Sequence, residues 1–246
     1  MTDLIQGRHP VMEALRAGRS INRIYMAAGN KDPMTKIREL AKERGVVVEN
    51  VERDYMNHIS KSTTHQGILA AAAPITYKSV EDLLDQAKFK DVPPFILLLD
   101  GIEDPHNLGA ILRTAEGCGA HGVVIPKRRA AAVTDTVEKS SAGAASPIPI
   151  ARVSNLNQTI DKLKDLGLWI IGLDMAGPQS YMEVDLKGPI GIVIGAEGKG
   201  ISHLTKEKCD FLASIPMAGK IESLNASVSA SLMLYEVVRQ RGSAKT

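Results

Sequence analysis

Aromatic side chains are scarce in this 246-residue chain: three Phe, five Tyr and one Trp, 4% of the total. That scarcity excludes recognition by a row of base-stacking rings, as on sheets that splay out single-stranded RNA. Cysteine is scarcer still. Cys118 and Cys209 are too few for a disulfide framework, so a reducing cytoplasm is the expected compartment. The six histidines and two cysteines show no metal-ligand spacing, and no metal is expected. No apolar run approaches the ~20 residues of a membrane span, and the stretch from Met1 to Arg8 has no signal-peptide pattern. Net charge is also nearly absent, at +2 with a pI near 8.5, which is compatible with a polyanionic partner only where the basic residues cluster. What is present, 44% hydrophobic and 24% charged residues, describes an ordinary globular protein with ample core.

From residue 1 to about residue 73, short helices and strands alternate: a helix over 10–17, a strand over 21–27, a helix over 33–44, and strands over 46–48 and 67–72. A small α/β module is expected there. Its cations include Arg8, Arg16, Arg19, Arg23, Lys36, Arg38, Arg44, Arg53 and Lys61. They form either a solvated surface or a patch for RNA phosphates, each of which adds a salt-dependent increment to binding. Over 74–94 the composition shifts, with Pro74, a capping-box-like run from Ser79 to Asp82, and Pro93 followed by Pro94, and this reads as a linker. Beyond it, over 95–246, the alternation becomes regular. Strands are expected over 95–100, 122–125, 148–153, 169–173, 190–195 and 211–215; helices over 108–117, 136–142, 156–166, briefly after Ser202, and over 226–239. Near-continuous apolar strands alternating with helices predict an α/β fold with a mostly parallel sheet covered on both faces.

Three loops after strands carry the chemistry, because an open α/β sheet binds ligands outside the carboxyl ends of its strands. In the first, Asp104 and Pro105 make a turn and Asn107 stands where an N-cap belongs. Arg113 follows nearly two turns later among Ala110, Ile111, Leu112 and Ala115, where a semi-buried guanidinium needs an anionic partner. The second loop sets Gly195, Gly198 and Gly200 around Glu197, so its amides can approach a ligand closely, but it lacks the Lys-Ser/Thr pair of a P-loop. The third turns through Pro216 and Gly219 and offers Ser223 and Asn225, either of which can cap the last helix. That helix has two apolar stripes, one of Leu224, Val228, Leu232 and Tyr235, the other of Ala226, Ala230, Met233 and Val237, so it is expected to be buried on more than one side. Ile215, Met217 and Leu224 would face the second loop across adjacent strand ends. Lys127, Arg128 and Arg129 are either a guide for RNA or a solvated turn.

Together these stretches resemble the SpoU/TrmH group of RNA ribose 2′-O-methyltransferases, within the deep-knotted SPOUT superfamily. The run from Asn107 to Ala115 matches the group's first motif, Gly195 to Ser202 its second, and Ile215 to Asn225 its third. The N-terminal stretch from Gly7 to Leu15 looks like the substrate-binding domain of the branch that methylates a guanosine in bacterial large-subunit ribosomal RNA. Ala226 departs from the group's pattern, standing where many relatives carry Val. The resemblance implies a C-terminal trefoil knot, a homodimer with the active site near its interface, and S-adenosylmethionine bound bent against Gly195, Ile215, Met217 and Leu224. It assigns catalysis to Arg113 with Asn107, Glu197, Ser223 and Asn225. The resemblance gives the removal of the hydroxyl proton to Arg113, whereas arginine is ordinarily charged at neutral pH; the expected role is to bind RNA phosphate and stabilise a developing alkoxide, with deprotonation by Arg113 itself left open. Asn107 and Ser223 would position Arg113 or the ribose, Glu197 would orient a polar neighbour, and Asn225 would brace the knot. Two readings compete with methylation of large-subunit ribosomal RNA: the same chemistry on transfer RNA or a resistance-linked ribosomal site, and a non-catalytic RNA-binding assembly factor on the same fold.

Overall fold

The structure, a computed structural model, describes residues 3–19, 21–28, 34–44, 46–60, 63–72, 75–127 and 129–242; Pro33, Lys61, Pro74 and Arg128 lie outside these. In chain order the elements are β1 (Asp3–Gln6), α1 (Arg8–Arg16), β2 (Ile21–Ala27), α2 (Thr35–Glu43), β3 (Val47–Val51), α3 (Arg53–Ser60) and β4 (Ile68–Ala72), then α4 (Val80–Phe89), β5 (Phe95–Asp100), α5 (Pro105–Gly117), β6 (Gly122–Pro126), α6 (Asp135–Ser140) and β7 (Ile150–Val153). The chain closes with α7 (Leu156–Asp165), β8 (Trp169–Leu173), β9 (Gln179–Ser180), β10 (Ile190–Gly195), α8 (His203–Lys208), β11 (Phe211–Ser214) and α9 (Ala226–Arg241). Two compact units result: residues 1–76 with 132–147, and residues 77–131 with 148–246.

In the first unit β4 and β2 are the inner strands; β4 is antiparallel to β1 and β2, while β2 is parallel to β3. All five β4 residues are buried, and Ile5, Val11, Leu15, Ile24, Met26 and Ile37 pack into the same core. The segment 132–147 belongs here although β6 and β7 flank it in sequence, whereas the sequence pattern puts it with the C-terminal half. The Glu138 carboxylate explains the attachment: it is buried, pairs with Arg19 at 2.7 Å and accepts the Ser146 hydroxyl at 3.4 Å. Arg19 is therefore committed inside the unit. Arg23 likewise pairs with Glu49, Arg16 with Glu13, and Arg38 donates to Asn50. These cations are less available to an RNA phosphate than the sequence alone suggests.

The second unit is built on seven strands, all parallel, in the order β7-β6-β5-β10-β8-β11-β9. β5 and β10 lie at its centre and are apolar because helices cover both faces. Residues 77–94 belong to this unit rather than standing apart as a linker. Ser79 and Asp82 close a reciprocal capping box that starts α4, and Leu83, Leu84 and Ala87 of that helix are buried. β8 lies between β10 and β11, so the strands that carry the second and third loops are not neighbours. That insertion decides which residues reach the site.

Candidate active site

The helix α5 starts three residues earlier than its apolar periodicity indicates. Pro105 supplies a preset φ at the first position, and the Asp104 carboxylate caps the helix by accepting the backbone N–H groups of His106 (3.3 Å) and Asn107 (3.0 Å). Asn107 is thus not the cap, and its side chain is free for a different bond: its Oδ1 accepts from Asn225 Nδ2 at 3.0 Å. The same Asn225 amide donates to Glu197 Oε2 at 2.8 Å. Asn225 Oδ1 meanwhile accepts from the Ser227 backbone N–H at 2.9 Å and caps α9. One asparagine joins all three loops and starts the last helix.

The second loop is a tight hairpin closed by two backbone bonds between Ala196 and Gly200, 3.1 and 2.8 Å, and its far end is pinned by the Ser202 N–H donating to Asp100 at 2.8 Å. Gly195 has to be glycine for a steric reason, since a Cβ there would stand 2.1 Å from the Gly200 carbonyl carbon. Gly177 is similarly pressed against the Ala213 backbone, which leaves 2.5 Å. Backbone passes backbone at both places with no room for a side chain between.

Between this hairpin and the third loop opens a cleft of about 280 Å³ lined by Gly195, Glu197, Ile215, Met217, Ser223 and Leu224, which gathers all four expected cofactor contacts and two expected catalytic residues. The β8 end adds Leu173, Asp174, Met175 and Ala176, and α8 adds Lys206. Asp174 is only 9% exposed and pairs with Lys206 at 2.7 Å. No glycine cluster or motif marks this loop. The signal that was there is Asp174 itself, a carboxylate directly after the buried run Ile170 to Leu173, where a charge needs a partner.

Arg113 stands apart. Its flanking residues Ile111, Leu112 and Ala115 are buried while Arg113 is exposed, so the expected semi-buried guanidinium is not found within one chain. It lines neither the cleft nor the cavity next to it. α9 departs from expectation in the same direction. Ala226, Ala230, Met233 and Val237 are buried, but Val228, Leu232 and Tyr235 of the other stripe are 46%, 37% and 59% exposed. Both thiols lie outside the three loops, and burial pushes Cys118 up to about 11 and Cys209 up to about 12, which leaves them unreactive. Among the described residues, no group of three or more His, Cys, Asp or Glu is placed to hold a metal ion, and no helix is long and apolar enough to cross a membrane.

Residues 94–235 match the model of the SpoU rRNA Methylase family. The chain belongs to that family. Residues 4–78 of this SpoU methylase also match the model for RNA 2′-O ribose methyltransferase substrate binding. It is 45% identical over 240 residues to YacO of Bacillus subtilis, assigned by name to the TrmH family of tRNA/rRNA methyltransferases, covering 97% of this chain and 96% of that one. A TrmH-family relative from Staphylococcus saprophyticus is 48% identical over 239 residues, with the same coverage. Among solved structures, the SpoU methyltransferase AviRb from Streptomyces viridochromogenes, in complex with AdoMet, aligns at a TM-score of 0.82 with 26% identity, covering 98% of this chain and 91% of that one. An AdoMet-bound rRNA methyltransferase from Sinorhizobium meliloti aligns at 0.79 with 25% identity, over 97% and 87%.

Proposed function

We propose that this SpoU methylase transfers the methyl group of S-adenosylmethionine to the ribose 2′-hydroxyl of a guanosine in large-subunit ribosomal RNA. The observation that carries the reading is the Asn225 amide, which holds Asn107 and Glu197 together at the rim of a cleft suited to the cofactor. Ile215, Met217 and Leu224 offer apolar surface to a purine, and the Asp174–Lys206 pair offers both signs to a zwitterionic amino-acid end. The tight passages at Gly195 and Gly177 support a deep trefoil knot around that cleft. When bound, the cofactor supplies an electrophilic methyl group on its sulfonium. The ribose hydroxyl is a poor nucleophile: as its oxygen bonds to that carbon the carbon–sulfur bond breaks, S-adenosylhomocysteine leaves, and the hydroxyl proton passes to solvent water. Glu197 and Asn107, fixed by Asn225, orient that hydroxyl, and Ser223 lines the same cleft as Glu197 and helps to position the ribose. Arg113, as a fixed cation, binds an RNA phosphate and stabilises the developing alkoxide.

Because Arg113 lies off the cleft in one chain, a homodimer completes the site. The exposed stripe of Val228, Leu232 and Tyr235 lies on α9, the helix that packs on α5, with the Thr114 and Ser231 hydroxyls 3.1 Å apart between them. A second copy over this stripe would bury both the apolar face and the Arg113 neighbourhood. The choice of ribosomal RNA rests on the first unit, which matches a substrate-binding model. Arg113→Ala separates the roles: methyl transfer to large-subunit ribosomal RNA should fall at least ~100-fold while cofactor affinity, measured by calorimetry, stays within a few-fold. A large loss of cofactor affinity with Arg113→Ala contradicts this division of labour.

A further inference from the structure

A second cavity, about 520 Å³, adjoins the cofactor cleft, and Ala196, Glu197, Lys199 and Gly200 form a wall common to both. An acceptor that meets the cofactor's methyl group has to enter through such a neighbouring space. Several polar groups of this chamber are already committed: Asp100 accepts the Ser202 N–H, Asp104 caps α5, and Asn107 is held by Asn225. Two cations are not. Among the described residues, Arg129 and Lys199 make no intramolecular hydrogen bond or ion pair, yet both line the chamber. Arg129 is also held at φ 55°, in the left-handed region where a residue with a Cβ is strained and where Gly would be strain-free. Its loop is tied to the first loop, after β5, by the Ala131 N–H, which donates to the Ile102 carbonyl at 2.8 Å. A turn that needed only its shape would be better served by glycine.

We infer that Arg129, with Lys199, seats the phosphodiester of the acceptor nucleotide in this chamber. The inference rests on the methyl-transfer reading above and adds a positioning residue to it. A planar guanidinium takes two phosphate oxygens at once, which fixes orientation as well as charge. The other charged residues of the lining, Asp100, Glu103, Asp104 and Glu197, are acidic and disfavour a phosphate beside them. They suit the neutral part of the nucleotide, whose hydroxyls and base N–H groups are donors. The phosphate then stays with the two cations while the ribose faces the wall shared with the cofactor.

The test uses the full-length enzyme, an unmodified large-subunit ribosomal RNA transcript, and three variants. With Arg129→Gln and Arg129→Gly, KM for RNA should rise about tenfold and the salt dependence of kcat/KM should become shallower by about one contact, with cofactor affinity unchanged. Arg129→Lys should recover part of the loss. Wild-type KM in Arg129→Gly would overturn the inference, because it would reduce Arg129 to a turn residue; so would an unchanged salt slope in Arg129→Gln. If the wild-type enzyme methylates no ribosomal RNA, the underlying reading fails instead, and the two failures are told apart by that control.

Discussion

Asn225 does two separable jobs. Its Oδ1 caps α9 and its Nδ2 bridges Asn107 and Glu197. Serine ranks with asparagine as an N-cap but has no amide to donate across the site. Asn225→Ser should therefore leave stability within ~0.5 kcal/mol, by thermal melting, while methyl transfer drops at least ~100-fold. Near-normal transfer would remove the bridge from the account. Asn107 shows what the sequence hides at this scale. Its position three residues after Asp104 looks like the start of a helix, and only the structure shows Asp104 taking the cap and releasing Asn107 for the site. An N-cap and a site residue carry the same side chain, so local chemistry alone does not separate them. That Glu197, Ser223, Gly195, Ile215, Met217 and Leu224 line one cleft was legible because motif spacing placed them in loops after strands.

Among the elements, the start of β5 depends on a buried imidazole. His121, 4% exposed, accepts the Phe95 N–H on Nδ1 at 3.0 Å, a bond that the protonated ring cannot accept. Burial first, then the charges of Lys90 and Arg241, push its pKa down to about 4 from 6.5. The folded state thus resists a proton that the unfolded chain takes up near pH 6.5. The stabilisation is complete above that pH and is lost as pH falls towards 4, by up to roughly 3 kcal/mol. Denaturant titrations between pH 4 and 7 should show this slope in the wild type and a flatter one in His121→Gln; identical slopes would contradict the assignment. The regular strands and helices of the second unit were legible from their apolar runs, with ends displaced by a few residues. β1, α3 and β9 were not: β1 and β9 have four and two residues, too short for a period, and α3 has polar residues at most positions. The β8 loop was missed because strand order, which puts β8 between β10 and β11, is a long-range fact that no local pattern records.

For the whole molecule, the proposed second copy would account for both the exposed apolar stripe of α9 and the position of Arg113 off the cleft. Replacing Leu232 with Glu places a charge in the middle of that stripe. Leu232→Glu should shift the protein from dimer to monomer in sedimentation and abolish methyl transfer, while the monomer keeps its cofactor affinity because the cleft lies within one chain. A variant that stays dimeric and active would place the interface elsewhere. The partition into units was only partly legible, because the attachment of 132–147 to the first unit depends on the buried Arg19–Glu138 pair, 119 residues apart in sequence. The central claim is the reaction and its acceptor, and one measurement reaches both. Labelled S-adenosylmethionine is offered with unmodified large-subunit ribosomal RNA and, separately, with bulk transfer RNA, and the labelled nucleotide is identified after digestion. The account predicts 2′-O-methylguanosine from the ribosomal RNA; label confined to transfer RNA, or found on a base instead of a ribose, would contradict it.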